Sequence, residues 1–188
     1  STYNMVSLGL TLKMVIGNKD NYTKKIDESF NKLKKKIKKY ELNNEQKKAL
    51  EYLNIINNKF DVSVLQGTTG SGKTLVYFER IKKIIDNKKQ ALVLLPEIFL
   101  TNEFKSRFED FFGYEPAIWH SKITQKNKRI IWKGIINNKI KLIVGARSAL
   151  LLPFKKLGII VVDEEHDVSY KQDEGVIYNA RDMAISRA

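Results

Sequence analysis

Cysteine is absent from this 188-residue chain. That excludes a disulfide scaffold and any thiolate metal site within it, and it fits a reducing cytoplasm. No apolar run approaches the roughly 20 residues that a membrane-spanning helix needs. The opening segment Ser1–Gly17 is mildly apolar but has no basic lead and no small-residue cleavage site, so it does not read as an export signal. Acid is in short supply: 21 Asp+Glu face 34 Lys+Arg, a formal charge of +13. Such a surface attracts polyanions, nucleic acid foremost, although the Lys- and Asn-rich composition of the whole chain is a second source of the same charge. With 43% hydrophobic and 10% aromatic residues the chain can bury a core, which rules out global disorder. Its length suits one domain and some excess.

The excess lies at the start. Val6, Leu8, Leu10, Leu12 and Val15–Ile16 suit a short strand that Gly17-Asn18 ends. Between Lys19 and Lys48 the text is mostly Lys and Asn, and Ile26, Phe30, Leu33 and Ile37 form a thin helical stripe on a basic helix. From there on, short apolar runs alternate with helical patterns. Val62–Leu65, Ala91–Leu95, Ala117–Trp119, Lys141–Val144 and Gly158–Val162 read as strands. The stretches from Leu75 to Asp86, Leu100 to Phe112 and Gln125 to Ile136 read as helices. Continuous β-branched runs separated by helices predict an α/β fold: a parallel sheet with helices on both faces and ligands at the carboxyl ends of the strands. Phe104, Phe108, Phe111 and Phe112 are expected in the core, Trp119 and Trp132 as packing residues, and His120 as a structural histidine.

One segment carries chemistry on its own. Gly67, Thr68, Thr69, Gly70, Ser71, Gly72, Lys73 and Thr74 fit the phosphate-loop pattern between a strand and a helix. Glycines let backbone N–H groups turn toward an anionic phosphate, and the helix dipole adds to the attraction. Lys73 is placed to reach the β- and γ-phosphates and Thr74 to ligate Mg²⁺. Further on, Asp163-Glu164-Glu165-His166 follows the apolar strand Ile159–Val162. An acid at a strand end, downstream of a phosphate loop, is the second half of a nucleoside triphosphatase site. Asp163 is the expected magnesium acid and Glu164 the group that orients and deprotonates the attacking water. Lys73, Asp163 and Glu164 are thus the expected catalytic residues of an ATP- and Mg²⁺-dependent hydrolase.

The Asp-Glu-x-His box resembles Superfamily 2 helicases, and the surrounding text narrows the likeness to the primosomal replication-restart helicases of the PriA family. Pro96-Glu97-Ile98 with Leu100-Thr101 is similar to that family's first nucleic-acid motif. Gly145-Ala146-Arg147-Ser148-Ala149-Leu150 with Pro153-Phe154 is similar to the next. Asp163 to Asp167, then Ser169-Tyr170-Lys171-Gln172 and Tyr178-x-Ala180-Arg181-Asp182, resemble the stretch after its acidic box, and Leu42–Leu50 occupies the place of its adenine-recognition segment. The resemblance implies a RecA-like first motor lobe over residues 41–188, preceded at 1–40 by the tail of a DNA-binding region and a basic linker. It also implies a 3′-to-5′ DNA helicase that reloads the replication machinery at stalled forks, with DNA and other primosome proteins as partners and no membrane. Position by position, Gln46 would read adenine, and Thr101, Arg147 and Ser148 would touch the DNA backbone. His166 would couple nucleotide to DNA, and Tyr170, Lys171 and Gln172 would belong to an aromatic-rich coupling loop.

Glu103, Ala146, Lys122, Asn179 and Ile177 depart from the family pattern, none of them at the phosphate site. The alternatives are another Superfamily 2 translocase, a phosphate-loop kinase or GTPase, and a non-catalytic primosome scaffold. The Asp-Glu-x-His box disfavours the kinase or GTPase. The text ends within a helical pattern, Asn179–Ala188, so the expectation is a fragment. The second lobe with its arginine finger, and the family's zinc-binding cysteines, would then lie downstream.

Overall fold

The computed structural model describes residues 36–55, 60–172 and 177–188. The apolar segment at 6–16 and most of the basic helical stripe lie outside them. Where that stripe was expected to run on, residues 36–43 are irregular, and helix α1 starts only at Asn44 (Asn44–Ile55). Lys38 in this stretch is fastened to the lobe: its N–H donates to the Asp110 carbonyl at 2.8 Å and its ammonium to the Asp110 carboxylate at 2.6 Å.

Strands β1 (Gln90–Leu94), β2 (Ala117–Trp119), β3 (Leu142–Gly145) and β4 (Leu157–Val162) form one sheet in the order β2-β3-β1-β4. All its pairs are parallel, and Val93 of β1 lies between Val144 of β3 and Val161 of β4. Helices α2 (Lys73–Asp86), α3 (Asn102–Phe112) and α4 (Gln125–Ile136) follow the predicted pattern closely. Caps explain the starts of α3 and α4: Thr101 accepts from the Phe104 N–H and Thr124 from the Asn127 N–H. Helix α5 (Ala180–Arg187) is capped by Asn179 in the same way.

Alternation along the strands gives the sheet two apolar faces. Ala91, Val93, Leu95, Leu142 and Val144 pack with Tyr77, Phe78 and Ile81 of α2 and Phe108, Phe111 and Phe112 of α3. Leu92, Leu94 and Ile143 point the other way, onto Ile131 and Ile135 of α4 and Ala180 and Ala184 of α5. Of the expected phenylalanine cluster, Phe108, Phe111 and Phe112 are core and Phe104 is partly buried against them, and Trp119 is buried as well. The wholly buried Gln90 is the polar tie of this core. Its amide nitrogen donates to the Ile135 and Ile140 carbonyls and its oxygen accepts from the Lys155 and Lys156 N–H groups, so no polar atom of the side chain is orphaned.

Val62–Leu65 is a correction. It is not a strand: residues 61–68 are irregular, with Val62 52% and Val64 88% exposed. A strand persists only where a neighbour satisfies its backbone. Among the described residues β4 ends the sheet on that side, and nothing pairs with Val62–Leu65.

A candidate nucleotide site at the carboxyl edge of the sheet

The carboxyl ends of the strands deliver Glu97, His120, Arg147 and Asp163 to one edge, where an open parallel sheet binds ligands. The phosphate loop turns into α2 beside them. Gly72 sits at φ 81°, a left-handed conformation that a side chain would strain. A Cβ there would also meet the Gln46 amide nitrogen at 2.3 Å. Within the loop the Ser71 N–H donates to the Thr68 carbonyl at 3.1 Å. The Lys73 ammonium folds back and donates to the Gly67 and Thr68 carbonyls at 2.6 and 3.1 Å. The lysine is thus held against the loop it is expected to serve.

Gln46, the expected adenine reader, is brought to this loop: its amide donates to the Ser71 carbonyl at 2.9 Å. Asn43 and Gln46 form a reciprocal cap at the start of α1, at 2.9 and 2.8 Å. A cavity of about 130 Å³ opens beside Gly72 and Thr74, walled also by Tyr40, Arg107 and Phe111. Tyr40 stacks on Phe111 with ring centroids 6.0 Å apart.

Asp163 arrives on the end of β4, and every hydrogen-bonding part of it is held. Its N–H donates to the Leu94 carbonyl at 3.1 Å, and its carbonyl accepts from the Tyr170 hydroxyl at 2.6 Å. One carboxylate oxygen accepts from the Glu164 N–H at 3.1 Å and the other from the Tyr77 hydroxyl at 2.9 Å. Burial, reinforced by the Asp163 carboxylate, pushes the Tyr77 phenol well above its ordinary range, so it stays a donor. Burial chiefly, then the charges of Asp163, Asp167 and Glu164, pushes the Tyr170 phenol up as well. Sequence reasoning missed Tyr77, whose signal is a tyrosine on the buried face of a helix where phenylalanine would pack as well.

Glu164 sits at φ 51°. A non-glycine residue there costs about 1–2 kcal/mol, and such outliers gather at functional sites. His166 lies 3.6 Å from its carboxylate, both well exposed. Thr101 caps α3, and the departing acid Glu103 pairs with Arg107 at 3.0 Å on the surface. Glu97 accepts from the Ser121 N–H and hydroxyl at 3.3 and 3.0 Å. Desolvation raises the Glu97 carboxyl, but these bonds and the charges of His120 and Lys122 outweigh it and hold the carboxyl below its usual range.

Arg147 reaches inward: its guanidinium donates to the Ser169 carbonyl at 3.0 Å and to the Lys171 carbonyl. Ser148 is half-buried beside it in a short 3-10 turn (Arg147–Leu151). The expected coupling loop is a 3-10 turn (Val168–Tyr170) leading into a two-stranded hairpin, β5 (Lys171–Gln172) with β6 (Tyr178–Asn179). Tyr170 is 1% exposed, a core residue rather than a surface aromatic, Gln172 is buried and Lys171 exposed.

Among the described residues no three acidic or imidazole side chains gather into an all-protein metal cage. The Thr74 hydroxyl and the Asp163 carboxylate are hard oxygen donors, the set Mg²⁺ takes together with phosphate oxygens. Tyr77, three residues after Thr74 on α2, donates to the Asp163 carboxylate and so ties the helix that carries one donor to the other. The residues present fit that ion.

A parallel sheet with helices on both faces, a glycine-turned phosphate loop opening a helix, and an acid at the end of β4 define a RecA-like lobe. Residues 43–187 match the DEAD/DEAH box helicase family, and the chain belongs to it. Among individual relatives, the replication restart protein PriA of Rickettsia conorii is 46% identical over 187 residues, covering 100% of this chain and 28% of its own length. PriA of Bacillus subtilis is 42% identical over 159 residues, 84% of this chain and 20% of its own length. PriA of Helicobacter pylori is 46% identical over 127 residues, 68% and 20% respectively. The chain thus spans 28% or less of the length of these relatives.

Proposed function

We propose that this chain is the ATP-binding motor lobe of a 3′-to-5′ DNA helicase that acts in replication restart, with DNA forks or single strands and primosome proteins as partners. On this reading residues 1–40 are the tail of a DNA-binding region and a basic linker. The observation that carries the nucleotide part is the link between the two halves of the site: Tyr77, on the first turn of the helix that the phosphate loop opens, bonds Asp163 at the end of β4. The helicase part rests on membership of the DEAD/DEAH box family, and the replication-restart part on relatives that carry that name.

The roles follow from position. The loop N–H groups and Lys73 bind the phosphates, and Gln46 reads the base. Thr74 and Asp163 hold Mg²⁺, which when bound neutralises charge on the phosphate oxygens. Glu164 orients the attacking water and takes its proton. Thr101, Arg147 and Ser148 line the DNA side, while His166, Tyr170, Lys171 and Gln172 connect it to the acid turn. DNA affinity should fall steeply with salt and show little sequence preference, each neutralised phosphate contributing about −0.9 to the log–log slope on duplex DNA.

The test is phosphate release by the protein that contains this chain, with and without single-stranded DNA, for wild type and Glu164→Gln. The expected result is DNA-stimulated hydrolysis that the substitution lowers by about 10²–10⁴, the share of a positioned general base. Hydrolysis indifferent both to DNA and to Glu164→Gln would overturn the reading.

A further inference from the structure

We propose that Tyr77 is the positioning residue of the metal site: its buried hydroxyl, on the helix turn that carries Thr74, holds the Asp163 carboxylate in the orientation that receives the ion. The inference rests on the nucleotide reading above and deepens it.

One turn of α2 carries Lys73, Thr74 and Tyr77. Residues three and four apart lie on one face of a helix, so the phenol falls beneath the lysine and the threonine. From there it crosses to the end of β4 and donates to the Asp163 carboxylate at 2.9 Å. The ring is 5% exposed and set edge-on to Phe78, with centroids 5.2 Å apart. Packing therefore needs only an aromatic ring at this place, and phenylalanine would fill it. The hydroxyl is extra to packing, and the carboxylate it holds belongs to the metal site.

The remaining bonds to Asp163 show what the phenol adds. Leu94 and Tyr170 hold the backbone, and the Glu164 N–H holds one carboxylate oxygen. Without the phenol the second oxygen would turn about the first. A carboxylate already oriented does not have to be ordered when the ion arrives, and that saving appears as affinity for the ion.

The experiment measures a fluorescent ATP analogue binding to the chain in EDTA and in Mg²⁺, and Mn²⁺ binding by electron paramagnetic resonance with ATP present. Wild type, Tyr77→Phe, Asp163→Asn and the double variant are compared. Tyr77→Phe should bind nucleotide in EDTA as wild type does, within about twofold, and lose about tenfold in Mn²⁺ affinity and in the gain that Mg²⁺ confers, the scale of one hydrogen bond to a charged group. In the Asp163→Asn background the same substitution should add little, because the two act through one contact. Tyr77→Phe that holds the ion as wild type does, losses that add in the double variant, or loss of the fold itself by near-ultraviolet circular dichroism would each overturn the proposal. A wild type that binds no nucleotide at all would instead refute the nucleotide reading beneath it.

Discussion

The phosphate loop reaches the site as exposed chain, whereas Asp163 reaches it on the end of a sheet strand. Residues 66–70 are exposed, and the loop is held by its own backbone, by Lys73 folded onto its carbonyls, and by one outside brace from Gln46. Asp163 is held at its N–H, its carbonyl and both carboxylate oxygens, two of these bonds coming from tyrosines at least 95% buried. On the proposed reading the loop closes around a polyanion, which suits donors near water and glycines at its turns. The acid on that reading holds an ion, which suits a carboxylate set beforehand by the core.

The largest expected effect comes from removing the support beneath the acid. Phe78 is 1% exposed and packs on Phe104, Phe108, Phe111 and Phe112 with ring centroids 5.1–6.2 Å apart. Phe78→Ala should cost about 3–5 kcal/mol in chemical denaturation. It should also loosen Tyr77, its neighbour, so that nucleotide binding loses its Mg²⁺ dependence before the fold is lost. A cost under about 1 kcal/mol would mean that the aromatic face is not what sets the acid.

A smaller effect is expected on the loop side. Gln46→Ala removes the brace to Ser71 and half of the reciprocal cap with Asn43. It should lower stability by about 1 kcal/mol, the usual worth of a helix cap. It should also narrow the preference for ATP over other nucleoside triphosphates, read by competition. Preference for ATP left intact would remove Gln46 from base recognition and leave it as a brace alone.

The two regions were also unequally legible in the sequence. The loop could be named residue by residue, because glycine, lysine and threonine at fixed spacing meet a local demand for positive φ and inward N–H groups. The helix from Gln125 to Ile136 and the strand Ala117–Trp119 were legible for the same reason, since their periods and caps are local. The acid was legible as a residue, but its setting was not. Tyr77 lies 86 positions from Asp163, and a tyrosine on the buried face of α2 does not say which distant residue its phenol meets. Arg147 was expected on DNA through resemblance alone, and its bonds to carbonyls 22 and 24 positions away depend on how the hairpin folds back. Val62–Leu65 failed in the opposite direction: the residues suit a strand, but a strand is a property of a pair, and among the described residues nothing pairs with this segment.

The central claim is that Gly67 to Thr74 binds the phosphates of a nucleotide through Lys73. Lys73 bonds only backbone carbonyls of an exposed loop, so Lys73→Ala should change stability by no more than about 0.5 kcal/mol. The direct measurement is a titration of a fluorescent ATP analogue, with Mg²⁺, into wild type and Lys73→Ala at matched fold. Saturable binding by wild type and a loss of at least about tenfold in the variant, the scale of one charged contact, is the predicted result. Equal affinity in the two proteins would contradict the assignment of this loop.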